Sequence, residues 1–152
     1  MKRSAEAVTL RTRINDFLQG NATNPQVLLG DLNDVPEAQT SLILCGPPGS
    51  EIGTAGFDRA DQGDDQRLIN LTSAIQDPAR RYSRIHHGKG EMLDQIFASE
   101  ELLPVQQNGK RLLPVIDSIV DFAQMPSVSD NPGDRTNAAA PDHAPVKATF
   151  NI

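Results

Sequence analysis

The stretch Val27-Leu28-Leu29-Gly30-Asp31-Leu32-Asn33-Asp34 decides how the chain is read: three apolar residues run into a glycine and then into a cluster of short polar side chains. Val27 to Leu29 is too short for a helix and is bounded by Pro25 and Gly30. It therefore predicts a central, buried strand, which in a layered α/β arrangement reads as a continuous apolar run rather than an alternation. Such a strand would deliver Asp31, Asn33 and Asp34 at its end. Two distant stretches have the same character: Asp94 interrupts the apolar run Met92 to Ala98, and Pro141-Asp142-His143 precedes the alternation of Val146, Ala148 and Phe150.

Working outward, Ala7, Leu10, Ile14, Phe17 and Leu18 fall on one face of a helix from Ser4 to Gly20, with Arg3, Arg11, Arg13 and Asp16 on its solvated side. After the polar turn, Pro36 and Glu37 suit the first turn of a helix running through about Leu44. Gly46-Pro47-Pro48-Gly49 breaks it, and lacks the GK[ST] ending of a phosphate-binding loop. Arg67 to Ile75 predicts a short helix stopped at Asp77-Pro78. Tyr82 to His86 and Met92 to Ala98 predict a pair of strands about Gly88-Lys89-Gly90. Leu112 to Phe122 predicts a further strand, residues 126–141 a long surface loop rich in Ser, Asn, Asp, Pro and Ala, and Val146 to Phe150 a final strand. There is no internal repeat and no linker that would divide the chain.

Composition bounds the function. The chain of 152 residues suffices for one domain with a real core, but with 38% hydrophobic residues, 4% aromatic, 11 Gly and 11 Pro it should be rich in loops. A net charge of −6 argues against a broad basic surface that binds nucleic acid through its phosphates. An acidic site still accepts a polyanion when divalent cations lie between the two. Cys45 is the sole cysteine, which rules out an intrachain disulfide, and its neighbours Leu42, Ile43 and Leu44 make it a small buried hydrophobe. No apolar run approaches the roughly 20 residues of a membrane span. The N-terminal charges lack a following apolar segment of secretory type, although a leader already removed would leave no trace; cytoplasm and secretion both stay open.

Two metal patterns fail on spacing. From Asp58, a calcium loop would put Ala60 at its third position and Ile69 at its twelfth, where a bidentate Glu is needed, so Asp58 to Asp65 is a solvated acidic loop. His86 and His87 are adjacent, and neighbours on a strand face opposite sides, which argues against one shared zinc ion. If Asp31, Asn33, Asp94, Asp142 and His143 converge, they form a hydrolase-like set. The carboxylates would bind a hard divalent cation or take a proton from water, Asn33 would donate to a phosphoryl oxygen, and His143 would steady developing charge with its tautomer fixed by a carboxylate such as Asp94. Taken singly, Asp and Asn at loop starts are more often turn formers or caps.

Three segments together, GDLND at Gly30 to Asp34, EMLDQIFAS at Glu91 to Ser99 and PDHAPVKATF at Pro141 to Phe150, resemble the C-terminal motifs of the endonuclease/exonuclease/phosphatase superfamily. The resemblance covers nearly the whole chain, with the first helix standing where the family has the helix before the GDxN strand. It implies that Asp31 orients or deprotonates the attacking water, Asn33 donates to the scissile phosphate, Asp94 hydrogen-bonds the motif histidine, Asp142 lies near the metal, and His143 contacts the phosphate. Pro141 stands where many members have Ser.

The resemblance reaches only the C-terminal half of the family fold. It implies an α/β chain forming half of a four-layer α/β sandwich: one mostly antiparallel or mixed sheet with helices on its outer face, truncated at the N-terminus, over residues 1–152. The early Asn, the Glu that is the principal magnesium ligand and a further His or Tyr would lie upstream. The expected cofactor is therefore Mg2+, or Mn2+ or Ca2+ in its place, bound weakly. The implied substrate is a phosphodiester, either nucleic acid or a small phosphoester, with activity low. The inner sheet face should be apolar and uncovered, inviting a homo-oligomer or a complementary half-domain. The other class of function is a catalytically inactive half-domain acting as an interaction or self-assembling module.

Overall fold

A computed structural model of the chain describes residues 2–20, 24–46, 67–110, 112–118, 126–129, 131, 133 and 141–151. Helix α1 spans Lys2–Gly20 and α2 Gln39–Cys45; the strands are β1 Val27–Asp31, β2 Ile69–Asn70, β3 Arg84–His86, β4 Lys89–Glu91, β5 Asp94–Ala98, β6 Val115–Ser118 and β7 Val146–Thr149. The fold is α/β, and among the described residues the strands pair antiparallel in three sheets, β1-β5-β2, β3-β4 and β6-β7.

The sheet is organised around β5 rather than around the strand that carries Asp31. β5 pairs with β1 along one side and with β2 along the other, so among the described residues β1 is an edge strand, not the central one that its apolar run predicts. Its side chains alternate: Leu28 is half-buried, whereas Val27 and Leu29 are 45% and 66% exposed. In the register Val27 faces Ala98, Leu29 faces Ile96 and Asp31 faces Asp94 on one face of the sheet, with Leu28 opposite Phe97 and Gly30 opposite Gln95 on the other.

Each face has its own core. Beneath Phe97, helices α1 and α2 supply Ala7, Ile14, Leu18 and Leu44, joined by Leu68 and partly by Leu28 and Leu32. Above Ile96 and Ala98 lie Ile69, Leu71, Ile75, Met92, Leu103 and Ile116, with Val146, Ala148 and Phe150 from the β6-β7 side packed against them. That upper cover reaches β5 and β2 but leaves Val27 and Leu29 of β1 bare. Among the described residues, the exposed apolar side chains on this face of the sheet are therefore those of β1.

The buried stripe of α1 is Ala7, Arg11, Ile14 and Leu18, while Leu10 and Phe17 are 38% and 59% exposed. Arg11 does not lie on the solvated side. Its Nη1 donates to the carbonyls of Leu44 at 2.9 Å and Cys45 at 3.3 Å, at the C-terminal end of α2, where helix geometry leaves carbonyls without intrahelical partners. Arg11, at 5% exposed, is buried in the turn where apolar periodicity alone would bury Leu10. Burial pushes the Arg11 guanidinium below its ordinary value, an effect that Cys45 partly offsets. Cys45 itself is half-buried rather than buried.

Other boundaries shift for local reasons. Arg67 to Ile75 holds the short strand β2 and a 3-10 turn Leu71–Ala74 instead of a helix. Asn70 caps that turn, its side chain accepting from the amide of Thr72, and β2 is drawn into the ladder by β5. β3 pairs with β4 rather than with the Met92 to Ala98 run, because His87 and Gly88, at φ 49° and 72°, close a tight turn of the type that matches strand twist. α2 begins at Gln39, after a turn in which Ala38 N–H donates to Val35 O. Arg80 fastens a 3-10 turn, Pro78–Arg80, to β6 through paired 2.8 Å contacts with Asp117. The acidic loop Asp58 to Asp65, much of the loop 126–141 and the strand prediction beyond Ser118 lie outside the described residues.

Candidate active site

The polar end of the β1-β5 ladder holds the first two site residues. Asp31 ends β1 and Asp94 begins β5, directly opposite each other, so their carboxylates leave the same face of the sheet. Gly30, at φ 156°, adopts a backbone conformation that side-chain-bearing residues rarely reach, and a Cβ there would meet nothing within 4 Å. Conformation and not crowding asks for glycine before the first aspartate.

Beyond β1 the chain folds back on itself. Asp31 Oδ1 accepts from the amide of Asn33 at 2.8 Å and Oδ2 from the Asn33 side chain at 3.3 Å. Asn33 sits at φ 51°, a left-handed conformation that Asn tolerates better than most residues. Leu32 N–H donates to Leu93 O, and Asp34 Oδ2 accepts from Thr40 Oγ1 at 2.7 Å. Gln95, fully buried, donates from Nε2 to Asp34 O and accepts from Asn70 Nδ2, both at 2.7 Å. The turn is held from β5, α2 and α1 at once, the last through Arg3, whose Nη1 donates to Asn33 O. An open cavity of about 390 Å³ flanks it, with Lys2 and Arg3 as its cationic lining and Asp34 and Thr40 on the turn side.

The third residue arrives from the C-terminal segment. His143 Nδ1 lies 2.7 Å from Asp94 Oδ2, with side chains 20% and 26% exposed, shielded enough to strengthen the contact yet still in part accessible to water. When Asp94 is ionised it can only accept, which places the proton on Nδ1 and makes Nε2 the acceptor nitrogen of the neutral ring. The loop before His143 is fixed by Ser127 Oγ, which donates to Pro141 O.

Asp31, Asp94 and His143 each offer one ligand atom within 4.8 Å of the others. Of the residues singled out in the sequence, these three converge and Asn33 touches the group through Asp31. Asp142 is half-buried and stands outside the group of three. His86 and His87 stack edge to face, 4.1 Å apart, on the exposed β3-β4 turn. Gln95 and the fully buried Ser83, whose hydroxyl accepts from the amides of Leu93 and Asp94, escaped the sequence reading. The signal for Gln95 was a second polar residue inside an apolar run, next to Asp94; Ser83 carried none. Compared with protein-family models, curated proteins and solved structures, the chain matches none of them.

Proposed function

We propose that the chain is the C-terminal part of an endonuclease/exonuclease/phosphatase-type domain, half of the four-layer sandwich, and that this site hydrolyses phosphodiesters with a divalent cation. The observation that carries the reading is the meeting of Asp31, Asp94 and His143, from residues far apart in the chain, within 4.8 Å. The motif resemblance of GDLND, MLDQIF and PDHAPV, and the cationic lining beside the turn, add to it.

The donor set suits a hard cation such as Mg2+. Asp31 and the Asp94 oxygen not paired with His143 are the groups that would hold it, while Asp142 keeps its place as a further ligand only by resemblance. When bound, the ion offsets charge on the phosphoryl oxygens. The chain's own groups supply the rest. Asp31, whose two oxygens offer more lone pairs than Asn33 uses, takes a proton from water as the water oxygen bonds to phosphorus. The bond to the leaving oxygen breaks, and that oxygen is protonated from solvent. Asn33 keeps a second amide hydrogen for the phosphate, and His143 steadies the developing charge through the nitrogen that Asp94 leaves open. The glutamate that the resemblance makes the principal metal ligand is not among the matched residues, so weak metal binding and slow turnover are expected.

The test is hydrolysis of an aryl phosphodiester and of plasmid DNA with and without Mg2+ or Mn2+. Metal-dependent turnover that falls by about 10²-fold or more in Asp31→Ala and His143→Ala supports the reading. Turnover that these changes leave untouched, or none in the parent chain, overturns it.

A second reading, a catalytically silent module that self-assembles, is favoured by one observation: Leu29 projects 66% exposed from an edge strand. A monomeric mass in solution across the micromolar range would dispose of it. Among the described residues no helix is long and apolar enough to cross a membrane.

A further inference from the structure

We propose that Ser83 is a positioning residue for the Asp94–His143 pair, which it holds from behind through contacts with both partners' segments; this rests on the hydrolase reading of the site. Asp94 and His143 are 49 positions apart and meet at 2.7 Å. Local geometry does not bring them together, so something must fix both backbones. Ser83 is 0% exposed. Its hydroxyl oxygen accepts from Leu93 N–H and from Asp94 N–H, both at 3.1 Å, which uses its two lone pairs. Its carbonyl accepts from the amide of Ala144, the residue after His143, at 2.7 Å, and its own amide donates to Glu91 O at 3.0 Å.

One buried residue therefore joins the start of β5, the segment carrying His143 and the root of the β3-β4 hairpin. Removing the hydroxyl strands the amides of Leu93 and Asp94 in the interior and frees the Asp94 main chain to move. A displacement of a few tenths of an ångström at Asp94 lengthens its contact with His143, which alters the orientation of the ring without touching substrate. The side chain of Ser99 provides an internal control. It is equally buried, and its hydroxyl also accepts a main-chain N–H, that of Gln26 at 2.9 Å, but at the far end of β5.

The experiment compares the full chain with Ser83→Ala, Ser83→Cys and Ser99→Ala. Cys keeps a small side chain at position 83 while replacing the oxygen with a weak acceptor, and serves if the alanine variant does not fold. The readouts are the hydrogen-bonded His143 Nδ1 proton in spectra of histidine-labelled protein, and kcat and KM for the aryl phosphodiester. In the position-83 variants the Nδ1 signal is expected to be lost and kcat to fall by about 10- to 100-fold with KM little changed, whereas Ser99→Ala, at a similar loss of melting temperature, keeps both. Retention of the signal and of kcat in the position-83 variants, or equal loss in Ser99→Ala, overturns the proposal. If the parent chain turns nothing over, the hydrolase reading falls, and the Nδ1 signal still decides whether Ser83 positions the pair.

Discussion

At one end of the β1-β5 ladder Val27 faces Ala98, and at the other Asp31 faces Asp94. The two ends share one backbone geometry and serve opposite ends. Toward Val27 the ladder holds the fold together: Phe97 and Ala98 are fully buried, with a core on each face. Toward Asp31 it sets two carboxylates directly opposite each other, an arrangement of like charges that destabilises a sheet. The polar end is bearable because Gln95, Ser83, Thr40 and Asn33 bond the surrounding main chain and side chains. A local arrangement that works against stability, held in place by its surroundings, is what the proposed site for a cation and a phosphate would require.

The contrast can be broken most forcefully at the apolar end. Phe97→Ala removes the largest fully buried side chain among the described residues and should destabilise the fold by about 3–5 kcal/mol in denaturant unfolding. A loss below about 1 kcal/mol would mean that the helix-side core is not what holds the ladder. Next comes the residue between the two ends. Gln95→Leu keeps the volume but deprives Asp34 O and Asn70 Nδ2 of partners, and a loss of about 2 kcal/mol is expected. An unchanged unfolding midpoint would show that the turn is held by its other contacts. The smallest effect has the opposite sign. Asp31→Asn keeps an acceptor for the Asn33 amide while removing one of two facing charges, so stability should rise by about 0.5 kcal/mol, while the proposed hydrolysis would be lost. A clear destabilisation would place Asp31 among the residues that hold the fold.

Much of this division was legible beforehand, and what was missed has a physical pattern. Period 3.6 located α1, and the apolar run before Gly30 located β1. Periodicity could not tell that Arg11 would enter the core in place of Leu10, since the carbonyls that receive its guanidinium belong to α2, more than thirty positions away. Nor could an apolar run distinguish a central strand from an edge strand, because both the centrality of β5 and the exposure of Leu29 depend on which strands arrive alongside. For the site, Asp31, Asn33, Asp94 and His143 stood out as polar residues at the borders of apolar runs and in motifs resembling those of a phosphoesterase. Ser83 offered no such mark, since a serine between a tyrosine and an arginine is ordinary until its neighbours in space are known.

The sequence by itself determined the α/β character, the position of the first helix, the strand that ends at Asp31 and the candidate residues, because these follow from side-chain periodicity and from the conformations that Gly and Asn permit. Only the tertiary structure decided that Asp31 stands opposite Asp94, that His143 reaches Asp94 at 2.7 Å, and that Ser83 ties their segments together. Those are contacts between residues far apart in the chain. They arise when strand register and packing on both faces of one sheet are settled together, and no stretch of sequence holds that information alone.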